Sequence, residues 1–318
     1  MRPSTFDPAD TSRLRVERAA AVIDEARRLR DEHHVPRAAD DRLRVAAFGI
    51  DVQVAFCLPE GSLFVPGAVE DTNRALAFLY DHAESLTTLI LSLDTHRIFQ
   101  IFHPSFWQDG EGKPPAPFTV ITKADVREGR WIPTRDAEAA LDYVERLEDG
   151  GKYVLTVWPY HALLGGVSHA LVPAMMEFSL FHAALREAPT LFETKGEHPW
   201  TENYSVLAPE VTEVGGERVG AFNQPLFDVV MKHDRVYVFG QAKSHCVLST
   251  LRDLQRKIAE SDRSLARRIY ILEDAMSPVP APPLDPLPPE LDFPAVAKRA
   301  MQELADFGMN VVRCADAW

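Results

Sequence analysis

The chain alternates short apolar runs with longer amphipathic ones. The run VAAFGI ends at Asp51, TTLILSL stops before Asp94, RVYVFG precedes a loop leading to Cys246, RIYIL precedes Glu273 and Asp274, and MNVVR lies near the end. YVLTV before Trp158 is a further candidate strand, and PTLFET before Lys195 a less regular one. Between them, EDTNRALAFLYDHAES, TRDAEAALDYVERLED and FPAVAKRAMQELADFG repeat apolar side chains at helical spacing. Uninterrupted apolar strands suit a sheet buried on both faces, and alternation with helices makes it mainly parallel. The predicted fold is therefore α/β, a three-layer α/β/α sandwich around a mainly parallel central sheet.

An additional helix is predicted from about Asp10 to His33. It carries Leu14, Ala19, Val22, Ile23, Ala26 and Leu29 near helical spacing, and Pro36 stops it. It should pack on the domain or on a partner subunit. We divide the chain into an N-terminal helical extension, 1–44, and a catalytic-type domain, 45–318. Gln108–Arg135, Ala162–Pro189 and Ala208–Phe222 read as insertions or long loops, and SPVPAPPLDPLPPELDFP as an extended connection.

Composition narrows the partners. Lys and Arg total 34 against 47 Asp and Glu, a net charge of −13, whereas phosphate binding needs a basic face. Neither a nucleic-acid nor a membrane partner is expected. The N-terminus shows no signal-peptide pattern, and no apolar stretch approaches membrane-span length. Three cysteines, Cys57, Cys246 and Cys314, fit a reducing compartment, so the expected location is cytoplasmic.

In such sheets ligands bind at the carboxyl ends of the strands. Asp51, Asp94, Lys195 and the Cys246 segment all sit just past such ends. Cys246 falls where a helix should begin, so the helix dipole and free N–H groups favour thiolate and could hold an oxyanion. Asp51 could take the thiol proton and return it to a leaving amine, with Lys195 keeping the carboxylate charged. Taken singly, each has a plainer explanation: a buried structural cysteine, a helix cap, a surface lysine. Asp94, His96, His103 and His161 offer one carboxylate and three imidazoles, a set suited to zinc, manganese or iron(II). His33, His34, His82, His169, His182 and His233 read as surface or packing residues, with His198 and His245 open.

The pieces GIDVQVAFC, SLDTHRIFQIFHPSF, WPYHALLGG, TKGEHPWTENYS and GQAKSHCV, in this order, resemble the nicotinamidase branch of the isochorismatase-like cysteine hydrolases. The likeness runs from roughly Val45 to Arg313. It implies a catalytic triad of Asp51, Lys195 and Cys246, and metal ligands Asp94, His96, His103 and His161. It also implies Phe56 and Trp158 as the aromatic pair around a pyridine ring. A cis peptide is implied at Gln241–Ala242, with the N–H groups of Ala242 and Cys246 forming the oxyanion hole. The chain departs from the family at Ala55, Thr95 and Ser244, and is longer than its usual members.

The implied activity is hydrolysis of a small carboxamide, nicotinamide foremost, through a cysteine thioester. A divalent metal, zinc first, serves as cofactor, and the expected partners are the amide and further copies of the chain. Alternatives are a related hydrolase of ureido, N-carbamoyl or other aromatic amides, and a non-catalytic binding protein that kept the fold. Isochorismate chemistry needs no cysteine nucleophile, and no G-x-G-x-x-G follows the first strand to support a nucleotide-binding Rossmann enzyme.

Overall fold

The computed structural model describes residues 2–281, 285–289 and 291–318. Six strands form the central sheet: β1 Val45–Ile50, β2 Thr88–Asp94, β3 Leu191–Lys195, β4 Arg235–Gly240, β5 Ile269–Leu272 and β6 Asn310–Val312. Their spatial order is β6-β5-β4-β1-β2-β3, and every neighbouring pair is parallel. The chain builds outward from β1 to β3, then crosses back to β4 and builds the other way. That reversal leaves a crevice at the carboxyl ends of β1 and β4, the place where such sheets bind ligands.

The principal helices are α1 Ala19–His33, α2 Ala68–Asp81, α3 Ala137–Asp149, α4 Pro173–Arg186, α5 Gln224–Met231, α6 Cys246–Ser261 and α7 Phe293–Phe307. Successive side chains of a strand point to opposite faces, so the sheet feeds two cores. Ala46, Phe48 and Ile50 of β1 pack with α3, α5, α6 and α7. Val45 and Ala47 pack with α1, α2 and α4. The three-layer α/β/α architecture expected from the pattern is the one observed. Among the described residues no helix is long and apolar enough to cross a membrane.

Three expectations change. YVLTV does not enter the central sheet: Leu155–Thr156 instead pairs antiparallel with Val120–Ile121 in a small separate sheet. The position beside β2 is taken by the less regular run PTLFET, which pairs with β2 over five residues as β3. Its alternating burial is that of an edge strand, which explains its weaker apolar pattern.

Ala162–Pro189 is no loop, because it contains α4. This helix buries Met175, Phe178, Phe181 and Leu185 together with Glu177, His182 and Arg186, so it has no clean polar face to betray it. The third change is at the N-terminus, where the helix begins at Ala19 rather than near Asp10 and a short 3-10 turn, Pro8–Ser12, precedes it.

α1 lies on α4, burying Val22, Ala26 and Leu29. Arg15 Nη2 and Arg18 Nη2 donate to Glu177 Oε2 at 2.8 and 2.9 Å, and the Arg18 backbone N–H donates to Oε1 at 2.7 Å. Burial alone would raise the Glu177 carboxyl, but these hydrogen bonds carry it down to about 2.

Candidate active site

Register brings the strand ends together. Asp94 of β2 stands directly opposite Lys195 of β3, and Ile50, just before Asp51, stands opposite Gly240 of β4. Gly240 has φ +120°, and a Cβ there would fall 2.0 Å from the Ile50 carbonyl, so only glycine lets the chain turn at this point. Gly196, at φ +80°, follows Lys195 where a Cβ would press within 2.6 Å of the His96 ring.

The Lys195 ammonium is the hub. It donates to Asp94 Oδ1 at 2.8 Å, to the Asn203 carbonyl at 2.9 Å and to Cys246 Sγ at 3.7 Å. Asp51 Oδ2 is also 2.9 Å away. That approach lies off a hydrogen-bonding direction, for among the described residues Asp51 Oδ2 accepts no directed hydrogen bond. The contact is an ion pair between buried groups. Asp51 Oδ1 is occupied, accepting from the Ser92 hydroxyl at 2.6 Å, while the Asp51 N–H donates back to Ser92 Oγ at 3.0 Å.

Two carboxylates share this one ammonium, and their proton affinities separate. Burial, opposed by Lys195 but reinforced by Asp94, lifts the Asp51 carboxyl above its ordinary range. Asp94 is held well below that range: burial works against it, but His96, Lys195 and His161 prevail. Lys195 stays charged, both carboxylates overcoming its burial. Of the two acids, Asp51 is thus the one placed to exchange a proton.

Cys246 opens α6, as its position after the loop predicted. The helix start is not the only influence on this thiol. Burial pushes the thiol well above its usual value, and Asp51 and Asp94 add to this against Lys195. Both effects favour the neutral thiol over thiolate, and the Cys246 and Asp51 side chains are within hydrogen-bonding reach. The Gln241–Ala242 peptide is cis. Among the described residues, the N–H groups of Ala242 and Cys246 donate to no other group.

Asp94, His96 and His161 form a second buried group whose ligand atoms all lie within 4.8 Å of one another. His96 Nδ1 lies 3.1 Å from the Gly196 carbonyl, and His161 Nδ1 lies 2.7 Å from the Pro159 carbonyl. Donation there leaves both Nε2 atoms as acceptors, facing Asp94 Oδ2 at 2.7 and 3.5 Å. Acceptors facing a carboxylate at such range repel unless a cation or a proton lies between them. Backbone carbonyls holding the far ring nitrogens are the usual support for metal-binding imidazoles.

His103 stands one step out. Its ring centre is 5.8 Å from those of both His96 and His161, and it falls outside the compact group. Its Nδ1 meets the carbonyls of Arg97 and Ile98 at 3.1 and 3.2 Å, while Nε2 is buried with no partner among the described residues. That orphaned nitrogen and the facing acceptors fit a divalent cation.

A tight cavity joins the two groups. Phe56, Asp94, Trp158, His161, Ala242 and Cys246 line it, so six of the residues singled out from sequence share one cavity, while Asp51, Lys195, His96 and His103 are not part of its wall. Leu63, Val65, Glu202, Tyr204, His245 and Val279 complete the wall without having been anticipated. Trp158 Nε1 donates to the Tyr204 hydroxyl at 3.0 Å, fixing the indole. Burial raises Glu202 to about 7 and lowers His245 to about 4, which keeps that imidazole neutral. Ser244 Oγ accepts the Val279 N–H at 3.0 Å, tying the nucleophile loop to the proline-rich segment. Buried Glu202 and Tyr204 could have been suspected from TENYS directly after the lysine motif. Ser92 left only the signal of a lone hydroxyl in an apolar strand.

The protein is thus a parallel α/β protein with a buried Cys–Asp–Lys cluster and an Asp–His–His group at the switch point of its sheet. No protein-family model matches the sequence, and no curated protein matches it significantly. Among solved structures it is similar to a nicotinamidase/pyrazinamidase of Acinetobacter baumanii, at 19% identity over 87% of this chain and 99% of that one, with a TM-score of 0.53. A yeast nicotinamidase is similar at 19% identity over 84% and 99% of the two chains, with a TM-score of 0.54. The same yeast enzyme bound to the inhibitor nicotinaldehyde aligns with a TM-score of 0.52. The fold of these enzymes is shared almost end to end.

Proposed function

We propose that the chain is a cysteine amidohydrolase of the isochorismatase-like family, cleaving a small carboxamide to a carboxylic acid and ammonia, with nicotinamide as the reference substrate. The observation that carries this reading is the convergence of Asp51 Oδ2 and Cys246 Sγ on the Lys195 ammonium, at 2.9 and 3.7 Å. Asp51 Oδ2 is an acceptor without a directed donor, and it takes the Cys246 thiol proton as sulfur attacks the amide carbon. The Ala242 and Cys246 N–H groups face the developing oxyanion. Protonated Asp51 passes its proton to the departing nitrogen, and ammonia leaves a thioester on Cys246. Water then adds to the thioester while Asp51 takes its proton; the acid departs and the thiol is restored. Lys195 stays charged throughout and holds both carboxylates in position.

Phe56 and Trp158 flank an aromatic ring and orient its amide toward the sulfur. Asp94, His96 and His161, with His103 behind them, would hold a divalent metal. When bound, that ion would supply positive charge beside the two carboxylates and an open position for water or a ring nitrogen. The test is ammonia release from a panel of nicotinamide, pyrazinamide and ureido acids, in wild type and Cys246→Ala. The expected result is release with nicotinamide or a close analogue, abolished in the variant. Release that survives the loss of the thiol ends the covalent mechanism.

A further inference from the structure

Beyond the catalytic cavity lies a second, larger one, and the two share walls. Leu63, Val65, Trp158 and Val279 line both. The inner space is only about 30 Å³, the outer about 370 Å³, so the outer one holds most of the room a substrate could use. Among the described residues that line it, every one except Thr156 is apolar. None of the described lining residues is titratable, so none of them would compensate a charged substituent buried there.

Leu63, Phe64, Val65 and Pro66 form one side of the outer wall, and a segment read from sequence as an insertion adds an aromatic and an aliphatic side chain to it. Phe118 and Val120 belong to residues 108–135, and the Val120–Ile121 strand pairs with Leu155–Thr156, just ahead of Trp158. The Val157 N–H donates to the Thr119 carbonyl at 2.8 Å, which ties the insertion to the pocket tryptophan. Phe118 itself is held at φ +70°, a conformation unfavourable for a bulky side chain. It is 55% exposed, with its ring edge-on to Trp158 at 5.9 Å. Phe118 is thus a half-exposed aromatic in an unfavourable backbone conformation, on the cavity wall and against Trp158.

We propose that this outer cavity is a substrate subsite, and that the preferred substrate is an aryl carboxamide bearing an uncharged apolar substituent of several carbons. The inner cavity takes the carboxamide beside Cys246, the ring lies along Trp158, which lines both cavities, and the outer cavity takes the substituent. This rests on the amidase reading above and specifies its substrate class.

Phenyl- and butyl-substituted nicotinamides are compared with nicotinamide itself, in wild type and in Phe118→Asp. Aspartate tolerates the left-handed backbone and position 118 is exposed, so the variant keeps its fold. In wild type, kcat/KM should favour the extended amides by about tenfold or more, and the variant should lower that ratio several-fold. Equal or poorer turnover of the extended amides, or a preference indifferent to Phe118→Asp, overturns the proposal. A change of oligomeric state in Phe118→Asp with no change in preference overturns it too, because a second copy of the chain would then be the occupant.

Calorimetric binding to Cys246→Ala protein separates the two readings, since it needs no turnover. If no amide is hydrolysed yet the extended ones bind more tightly and Phe118→Asp weakens them, the amidase reading falls and the subsite stands.

Discussion

The Ser92 hydroxyl and the Asp51 carboxylate hold each other twice: Ser92 Oγ donates to Asp51 Oδ1 at 2.6 Å and accepts the Asp51 backbone N–H at 3.0 Å. The acid is anchored through one oxygen while the other is left beside Lys195, ready to take a proton. Ser92 is a positioning residue, and Asp51 the group through which it acts.

Ser92→Ala should therefore lower kcat by about 10- to 100-fold with a smaller change in KM. A hydrogen bond to the charged form favours that form, so its loss raises the Asp51 pKa. The acidic limb of the kcat/KM profile should move to higher pH. A pH–rate profile whose acidic limb stays in place would show that Ser92 serves packing alone.

The resting Cys246 thiol should behave as a neutral group. Its pKa is raised by burial and by the facing carboxylates, so alkylation by iodoacetamide should keep accelerating above pH 8.5. The labelled site is assigned by mass spectrometry. Cys57, fully buried and pushed up to about 12, should be slower still. A rate that levels off near neutrality would establish a preformed thiolate instead.

Metal content should follow the geometry of the histidines. His96→Ala and His161→Ala each remove a member of the compact group, and such proteins should purify with far less than one equivalent of divalent metal. His103→Ala should keep measurable metal but release it to chelator more readily, by about 10- to 100-fold in affinity. Elemental analysis after graded chelator dialysis makes the comparison. Equal loss in all three variants would place His103 on the same footing as the others.

Docking of the N-terminal segment should weaken in acid. Glu177 is lowered from 4.5 to about 2 by Arg15 and Arg18, so its contribution is complete above the unfolded value. It is lost as pH falls from about 4.5 toward about 2. Hydrogen exchange in residues 19–33 should rise over that range, and Glu177→Gln should show raised exchange already at pH 6. Unchanged protection in the variant would assign docking to Val22, Ala26 and Leu29 alone.

Much of the fold was legible because strands buried on both faces must be uninterrupted apolar runs. β1, β2, β4 and β5 are mostly such runs, whereas the short β6 is a partly buried edge strand. β3 was nearly missed, since an edge strand buries only alternate residues. α4 was missed because its burial extends around most of its circumference, which erases the period of an amphipathic helix.

The candidate site divides the same way. Asp51, Asp94, Lys195 and Cys246 were visible because each marks the end of a predicted strand or the start of a helix, and local pattern records such ends. The order β6-β5-β4-β1-β2-β3 and the pairing of Asp94 with Lys195 were not. Periodicity determines which face of an element is buried; it carries no record of which distant element covers that face. Only the folded chain sets Ser92 against Asp51, makes Asp51 the weaker acid of two carboxylates, and folds residues 108–135 back to place Phe118 beside Trp158. Those relations depend on strand register and on burial, which come into being when separate segments pack.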